Sequence, residues 1–544
     1  MTLNRRETIL MALASAGAAT LPAGTARANG QAKRAVNLPL GIEGQRRGDL
    51  GDGRFLNPVL AGDRPDPNIL KDGDDYYAAF SSFFYYPGIP IWHSRDLVNW
   101  TPVTAALTRN IGSVWALDIA KHDGRYFIYI PALDPDDDKR PLKTWVIHAP
   151  SMAGPWSEPV DMRIDNLIDP GHAVGEDGKR YLFFNGGNRV RISDDGLSAA
   201  GEVSHVYDGW PIPEDWVIEG FALEGPKITR RGEWFYMFSG QGGTAGPPTS
   251  HMVVVARSRS IHGPWENCPH NPIVRTVSRD EPWWSRGHAT AFEGPGGQWW
   301  QVYHGYENGM RTLGRQMLLD PIEWTVDGWP RAMGGDLSRP MAKPASQASG
   351  PHGQALSGFG ANAIGNKLTF WAPRADYLKR ATIAGGALTM AGQGGGPADA
   401  SPLLFVAGDR SYEVRVAVEI EGDVEAGLLL FYNEKLFCGV GLTPGKLHAY
   451  RIGQRERWPE GPPTSARRLH LRLVNDENVV TFYYSADGRK WTKERSVEVA
   501  GYNHNVADGF LSLRPGIYAA GTGRAIFRAL EYRALIGVED RVRP

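Results

Sequence analysis

The sequence has too few cysteines for a disulfide framework and almost no net charge. Only two of its 544 residues are cysteines, Cys268 and Cys438, and they lie far apart in the chain. This excludes a scaffold held together by disulfides and a metal cluster held by thiolates. The formal net charge is −1, which gives no electrostatic reason to expect nucleic acid or an anionic membrane as a partner.

Hydrophobic runs long enough to span a bilayer, which takes roughly 20 residues, are also missing. The apolar stretch ILMALASAGAAT near the start of the chain is shorter than that. It follows Arg5 and Arg6 and precedes the small-residue cleavage pattern ARA at 26–28. These features predict an export signal over residues 1–28, and the paired arginines favour a twin-arginine signal over an ordinary secretory one. We therefore expect a periplasmic or secreted protein with no membrane partner.

Aromatic residues are abundant, with 18 Trp, 20 Tyr and 19 Phe, and many of them belong to an internal repeat. Five segments each combine a polar or ionisable residue, a short strand, a turn containing glycine and an aromatic-rich strand. Such turns between strand-like runs are typical of β-hairpins. The turn glycines are Gly73, Gly124, Gly178, Gly232 and Gly296. Repeats of this size, each with several strands, predict an all-β fold that begins with a five-bladed β-propeller.

The repeat is expected to bring five polar residues to one place. The innermost strands of a propeller surround its central axis, so residues at one end of those strands face a single funnel. The five residues that precede the hairpin turns are Asp66, Asp118, Asp169, Glu224 and His288. Several carboxylates in one funnel suit glycoside hydrolysis, which needs a carboxylate base or nucleophile and a carboxylic acid that protonates the leaving oxygen.

A second domain follows the repeat. We expect the propeller to occupy residues 29–338, and a passage rich in Gly, Pro, Ser and Ala predicts a linker over 339–360. From 361 to 544, alternating runs such as SYEVRVAVEI and RLHLRLV are separated by turn clusters. Long helical patterns are absent from this part of the sequence, which predicts a second all-β domain, a C-terminal β-sandwich.

The motifs of the first domain resemble glycoside hydrolase family 43, especially its β-xylosidase and α-L-arabinofuranosidase members. The likeness covers residues 57–330, in the order NPVLAGDRPDPNIL, SSFFYYPGIPIWHSRDLVNW, VWALDI, IEGFALEGPKI, RGHATAF and GRQMLLDPIEW. The trailing sandwich resembles the concanavalin-like C-terminal domain common in those enzymes. The resemblance implies an inverting exo-glycosidase that removes terminal α-L-arabinofuranosyl or β-D-xylosyl residues from plant cell-wall glycans.

The resemblance also implies roles for three carboxylates. Asp66 matches the general base, with a simple turn cap beside proline as the alternative. Glu224, directly before Gly-Pro, matches the general acid, and Glu219 in IEGF is its rival. Asp118 matches the third carboxylate, which orients the acid and raises its pKa. Leu117 stands where the family usually has proline, which loosens the local backbone but leaves the carboxylate of Asp118 in place.

Further residues match the sugar-binding part of the family's site. Arg315 matches an arginine that contacts sugar hydroxyls near the base, while Gln316 replaces the usual glutamate. Phe83 and Trp115 match aromatic walls of the sugar subsite, with core packing as the alternative. Asp169 has no clear catalytic counterpart, so we expect it to be a structural or polar-network residue.

The resemblance implies no required cofactor and a carbohydrate partner, an oligosaccharide or polysaccharide substrate. His288 matches a histidine near the funnel axis that, in some family members, helps hold a calcium ion through water. We therefore expect a structural calcium near His288, with a buried and hydrogen-bonded histidine as the alternative.

Two other functions are consistent with such a propeller. One is a retaining fructosidase-type hydrolase, but its usual Asn-Asp-Pro-Asn-Gly signature is missing, because RPDPNIL lacks the first Asn and the Gly. The other is a non-catalytic carbohydrate-binding propeller, which we would expect to have lost at least one of the three carboxylates. The sequence therefore favours the inverting glycosidase.

Overall fold

The structure, a computed structural model, describes residues 40–345, 350–457 and 461–535. The predicted export signal at 1–28 lies outside these residues. In the described part of the chain, no helix is long and apolar enough to cross a membrane. The helical elements are short: 3-10 turns at Ile42–Gly44, Asn185–Gly187, Pro295–Gly297, Arg311–Leu313 and Tyr377–Arg380, and an α-helical turn at Ala363–Asn366.

Five antiparallel sheets form the blades of a propeller, which confirms the predicted fold. The first strands of neighbouring blades lie side by side and surround the central axis. Blade one contains Asn68–Asp72, Asp75–Ala79, Gly88–Ser94 and Thr101–Leu107. Blade two contains Ser113–Val114, Asp118–His122, Arg125–Leu133, Leu142–Ala149 and Val160–Asp165. Blade three contains Gly171–Val174, Arg180–Phe184, Asn188–Ile192 and Ser204–His205. Blade four contains Leu223–Arg231, Trp234–Gln241, Met252–Ser258, Glu266–Asn267 and Val274–Arg275. Blade five contains Trp283–Glu293, Trp299–Glu307, Arg315–Trp324 and Pro330–Ala332.

The inner hairpins are tight because glycine occupies their turns. Gly73 and Gly232 adopt φ values of 63° and 61°, a left-handed conformation that glycine reaches without a steric penalty. The flanking strands then pair in the expected register, with Asp72 opposite Asp75 in the first blade.

The segment before blade one closes the ring by binding to blade five. Leu60 forms a β-bridge with Met317. The Asn57 side-chain amide donates to the Leu319 carbonyl at 2.9 Å and accepts from the Leu319 N–H at 2.8 Å. This closure brings the chain to Asp66 beside the third strand of blade five.

Two further sheets form the predicted C-terminal sandwich. One contains Gln454–Arg455, Gly445–Arg451, Leu436–Thr443, Val424–Asn433, Arg514–Gly521, Leu403–Leu404, Thr369–Trp371 and Tyr85–Tyr86, with Pro463–Thr464 beside Gly445–Arg451. The other contains Ala381–Ala384, Ala387–Ala391, Arg524–Ala534, Ser411–Glu421, Arg468–Asp476, Val479–Ser485 and Thr492–Glu498. Burial alternates along Arg524–Ala534, as expected for a strand with one face on the core.

The propeller and the sandwich share structure. Tyr85–Tyr86, which lies between two strands of blade one, pairs with Thr369–Trp371 of the sandwich. One hydrophobic cluster runs from the first two blades into the sandwich. The predicted linker at 339–360 is attached to the propeller, because its Met341–Ala342 pairs with Arg54–Phe55. The predicted domain limits stay predictions, but the two β-domains are tightly packed on each other.

Candidate active site

The five residues expected in the funnel all lie on or just before the innermost strand of their blades. Asp118 begins its strand and Glu224 is the second residue of Leu223–Arg231. Asp66, Asp169 and His288 adopt positive φ values of 54°, 60° and 61°, which are uncommon for residues other than glycine and cluster at functional sites.

Asp66 is a buried carboxylate surrounded by donors. Its Oδ1 accepts a hydrogen bond from Arg315 Nη1 at 2.7 Å, and its Oδ2 accepts one from the Ser81 hydroxyl at 2.5 Å. Nδ1 of His304 lies 3.1 Å from Oδ1. Burial alone would raise the pKa of Asp66, but Arg315, His288 and His304 hold it well below its usual range. The group is therefore ionised at neutral pH, as a general base must be.

Glu224 has the opposite electrostatic environment. Its side chain is 22% exposed, and Oε1 lies 3.7 Å from Nε2 of the fully buried His251. Burial raises the pKa of Glu224 well above its usual value, and the negative charges of Asp169 and Asp66 raise it further. The group therefore keeps its proton at a pH where Asp66 has lost its own, as a general acid must.

Asp169 is the carboxylate whose charge contributes most to raising the pKa of Glu224. Its Oδ2 accepts a hydrogen bond from the N–H of Gly225, the residue after Glu224, at 3.0 Å. Burial and the charge of Asp66 raise the pKa of Asp169 to about 7. Its position beside the acid makes it more than the structural residue expected from the sequence.

Asp118 does not occupy the position that we expected. Its Oδ1 accepts from Lys227 Nζ at 2.9 Å and from Asn68 Nδ2 at 2.7 Å, and its Oδ2 accepts from the His172 N–H at 2.7 Å. Among the described residues, Asp118 makes no hydrogen bond to Glu224 and is not among the charges that shift its pKa. The expectation that Asp118 orients the acid is therefore corrected, because its oxygens hold a buried lysine and two neighbouring strands together.

Glu219, the rival for the role of acid, is fixed elsewhere. Its Oε2 accepts hydrogen bonds from the backbone N–H groups of Ala245 and Gly246, both at 2.9 Å. A carboxylate that accepts from two backbone amides is stabilised in its ionised form, so Glu219 is poorly suited to donate a proton. The geometry favours Glu224.

Three buried histidines lie beside the carboxyl groups of Asp66 and Glu224. The His251 ring stacks on His304 with ring centres 5.3 Å apart, and His288 lies 6.0 Å from His304. Burial lowers the pKa of His288 to about 3, so the ring is neutral at pH 7. Sequence analysis identified only His288 of the three.

One atom of each of Glu224, His251 and His288 lies within 4.8 Å of the others, close enough for a shared metal ion. Two imidazoles and one carboxylate do not fit direct coordination of calcium, which takes six to eight oxygen ligands. The buried Nε2 of His288 has no hydrogen-bond partner among the described residues. That orphaned atom fits the expected contact with calcium through a water molecule.

Arg315 connects the base to the aromatic side of the funnel. Its guanidinium carbon lies 5.7 Å from the Phe83 ring and 5.6 Å from the Phe510 ring. Phe83 is buried with φ 45°, and Trp115 is half-buried and donates from Nε1 to the Ser113 hydroxyl at 3.0 Å. Phe83, Trp115 and Phe510 line one cleft of about 860 Å³ between the propeller and the sandwich.

The sandwich supplies one wall of this cleft through the loop at 503–511. His504 stacks on Phe510 with ring centres 4.0 Å apart, and the Phe510 N–H donates to His504 Nδ1 at 3.0 Å. Thr312 in blade five donates to Asn478 of the sandwich at 2.6 Å, which holds the two domains together nearby. No sequence pattern marked this loop.

Gln316 lies behind the funnel, at the contact between domains. Its Nε2 donates to Glu307 at 3.0 Å, and its Oε1 accepts from Arg46 at 2.5 Å and from the Gly62 N–H at 3.0 Å. A neutral amide therefore bridges Arg46 and Glu307, which also form an ion pair at 2.8 Å.

Comparison with known proteins identifies the families that both domains match. The sequence model described as "Glycosyl hydrolases family 43" matches residues 55–330, and the one described as "Beta xylosidase C-terminal Concanavalin A-like domain" matches residues 371–533. A "Non-reducing end alpha-L-arabinofuranosidase BoGH43B" from Bacteroides ovatus is 32% identical over 302 residues, which are 52% of this chain and 54% of that protein. A "Xylan 1,3-beta-xylosidase" from Vibrio sp is 32% identical over 315 residues, 50% of this chain and 56% of that protein.

The similarity to solved structures extends over both domains. The crystal structure of the GH43 BlXynB protein from Bacillus licheniformis has a TM-score of 0.79 and 26% identity, and covers 89% of this chain and 100% of that one. The match to the family's sequence model spans about half of the chain and includes every blade. The protein belongs to glycoside hydrolase family 43 and is a glycoside hydrolase.

Proposed function

We propose that the protein is an exported, inverting exo-glycosidase that removes terminal α-L-arabinofuranosyl or β-D-xylosyl residues from plant cell-wall glycans. The observation that carries the proposal is the pair of carboxyl groups in one funnel, with Asp66 held ionised and Glu224 held protonated. Hydrolysis of a glycosidic bond needs one group of each kind, by the inverting or by the retaining route, and we propose the inverting route because the motifs resemble those of family 43.

In the proposed reaction, Asp66 accepts a proton from a water molecule as that water attacks the anomeric carbon. Glu224 donates its proton to the leaving oxygen. Asp169 keeps the proton on Glu224 until that moment, because its charge opposes ionisation of the acid. Arg315 fixes the orientation of Asp66 and lies between two aromatic rings, where its remaining donors face sugar hydroxyls.

Exo action is supported by the wall that the sandwich adds to the cleft. Phe510 and His504 from the loop at 503–511 limit one side of the space next to Phe83. The names of the similar proteins, a non-reducing end arabinofuranosidase and a xylan xylosidase, support pentoside substrates. We propose that the cleft accepts a single terminal pentosyl unit.

A panel of aryl glycosides tests the substrate. We expect hydrolysis of 4-nitrophenyl α-L-arabinofuranoside, of the β-D-xylopyranoside, or of both. Cleavage of a galactoside or fructoside with both pentosides untouched would overturn the substrate assignment, and binding without cleavage of any sugar would favour a carbohydrate-binding propeller. Proton NMR of the first product tests the stereochemistry, since a retained anomer contradicts direct attack by water.

Calcium and export are further parts of the proposal. A calcium ion held through water by Nε2 of His288 would add positive charge to the funnel floor, and dialysis against a chelator should then lower the melting temperature until calcium is restored. Export by the twin-arginine route predicts that Arg5→Lys together with Arg6→Lys leaves the enzyme in the cytoplasm. A melting temperature that does not change on chelation would contradict the calcium site. An unchanged localisation of the double variant would contradict export by the twin-arginine route.

A further inference from the structure

A cavity of about 80 Å³ lies behind the active site, between blade one and the sandwich. We call it the interdomain cavity. Four cationic side chains and two carboxylates contribute to its wall: Arg46, Arg64, Lys367 and Arg514, and Asp63 and Asp409. His352 adds no charge at pH 7, because burial lowers its pKa to about 4. Arg46 is paired with Glu307 at 2.8 Å and Arg514 with Asp63 at 2.9 Å, which leaves Arg64 and Lys367 without an ion pair among the described residues.

Arg64 is the more deeply buried of the two wall cations that have no ion pair among the described residues. Its residue is 8% exposed, and it forms no ion pair with any residue in the described ranges. Nη1 donates at 2.8 Å to the backbone carbonyl of Asp63, whereas the Asp63 carboxylate is bound by Arg514 at 2.9 Å. The guanidinium carbon lies 4.9 Å from the Trp92 ring centre, which offsets only part of the charge. Burial and the nearby Arg514 lower the pKa of Arg64 to about 10.

Three of the residues that line the same cavity carry unpaired polar atoms. Nε of Arg64, the Ser82 hydroxyl and the Tyr85 hydroxyl are buried and have no hydrogen-bond partner among the described residues. Each such donor destabilises the fold unless something accepts its hydrogen bond. Water could accept these bonds, but it cannot balance a buried positive charge.

We propose that the interdomain cavity binds one small monovalent anion of the size of chloride, held by Arg64, Ser82 and Tyr85. All three residues have a free donor, and a halide needs donors only. The volume corresponds to roughly two to three waters at about 30 Å³ each, which is enough room for a halide with one water.

The anion would connect the two domains and support the catalytic base. Tyr85 belongs to the strand that pairs with the sandwich, with Trp371 as its partner. Ser81, which also lines the cavity, donates to Asp66 at 2.5 Å. Binding there stabilises the interface and, through Ser81, the position of Asp66. This inference does not depend on which glycoside is cleaved.

Thermal unfolding of the full chain tests the site, with chloride compared to gluconate at equal ionic strength. We expect chloride to raise the melting temperature by about 2 °C or more in a saturable way, and bromide to behave similarly. Crystals soaked in bromide should show an anomalous peak at the guanidinium of Arg64. Identical melting in both salts together with no anomalous peak would overturn the proposal and leave water as the occupant.

Variants separate the site from general salt effects. Arg64→Met keeps the stem against Trp92 but removes the charge, so it should abolish the chloride response and be at least as stable as the wild type in gluconate. If that variant fails to fold, Tyr85→Phe removes one donor with little change in volume and should weaken chloride binding several-fold. Tyr86→Phe is the matched control, because its hydroxyl already donates to the Gly112 carbonyl at 2.6 Å, and its chloride response should equal that of the wild type. A full chloride response in Arg64→Met contradicts the assignment.

Discussion

The base side and the acid side of the funnel contain the same chemical group in opposite protonation states. Asp66 is fully buried and Glu224 is mostly buried, and burial raises the pKa of any carboxyl group. The positive charge of Arg315 reverses that effect at Asp66, whereas the negative charges of Asp169 and Asp66 reinforce it at Glu224. Burial therefore does not assign the roles of the two groups; the charges of their neighbours do.

The largest expected effect comes from removal of the base. Asp66→Asn keeps the shape and the contact with Ser81 but cannot accept a proton, so kcat on an aryl pentoside should fall by about 10³- to 10⁴-fold. Asp74→Asn, at an exposed position of the same hairpin, is the control and should retain full activity. Activity of Asp66→Asn within tenfold of the wild type would assign the base to another group.

Removal of the acid should discriminate between leaving groups. Glu224→Gln should lower kcat by about 10²- to 10³-fold on oligosaccharides, whose leaving oxygen needs a proton. An aryl glycoside with an activated leaving group should keep much of its turnover. Glu219→Gln is the matched control, and the same selective loss in that variant would transfer the role to Glu219.

Substitutions at Asp169 and Asp118 test which of the two carboxylates raises the pKa of Glu224. Asp169→Asn removes a negative charge beside Glu224, so the pKa of the acid falls and the alkaline limb of kcat/KM moves to lower pH. Asp118→Asn should leave that limb in place and instead destabilise the fold by about 3 kcal/mol in chemical denaturation, because it leaves Lys227 as an uncompensated buried charge. A limb that moves in Asp118→Asn alone would restore the original expectation.

The smallest expected effect concerns the wall from the sandwich. Phe510→Ala should raise KM by roughly two- to tenfold with little change in kcat, because loss of an aromatic contact weakens binding by about 0.5–1.5 kcal/mol. Asn505→Ala, at an exposed position of the same loop that does not line the cleft, is the control. Unchanged KM in Phe510→Ala would exclude this side chain from sugar binding.

The proposed base and acid were assigned from the sequence because the motifs around them match motifs of glycoside hydrolase family 43. Asp66 lies between two prolines, and Glu224 directly precedes Gly-Pro. The same kind of signal was available for Asp169, which precedes Pro170 as Asp66 precedes Pro67. Both aspartates share a positive φ. That parallel would have been a better guide to the third carboxylate than the position of Asp118 in its motif.

The sequence by itself determined the five blades and the sandwich, because hairpin turns and strand alternation are local patterns that repeat along the chain. Its motifs pointed to the two carboxyl groups proposed as base and acid through their resemblance to glycoside hydrolase family 43. Only the tertiary structure decided which residues surround those groups. His251 and His304 come from blades four and five, and Phe510 comes from the sandwich. Their places depend on how blades and domains pack, and a pKa depends on distances through space rather than on separation along the chain.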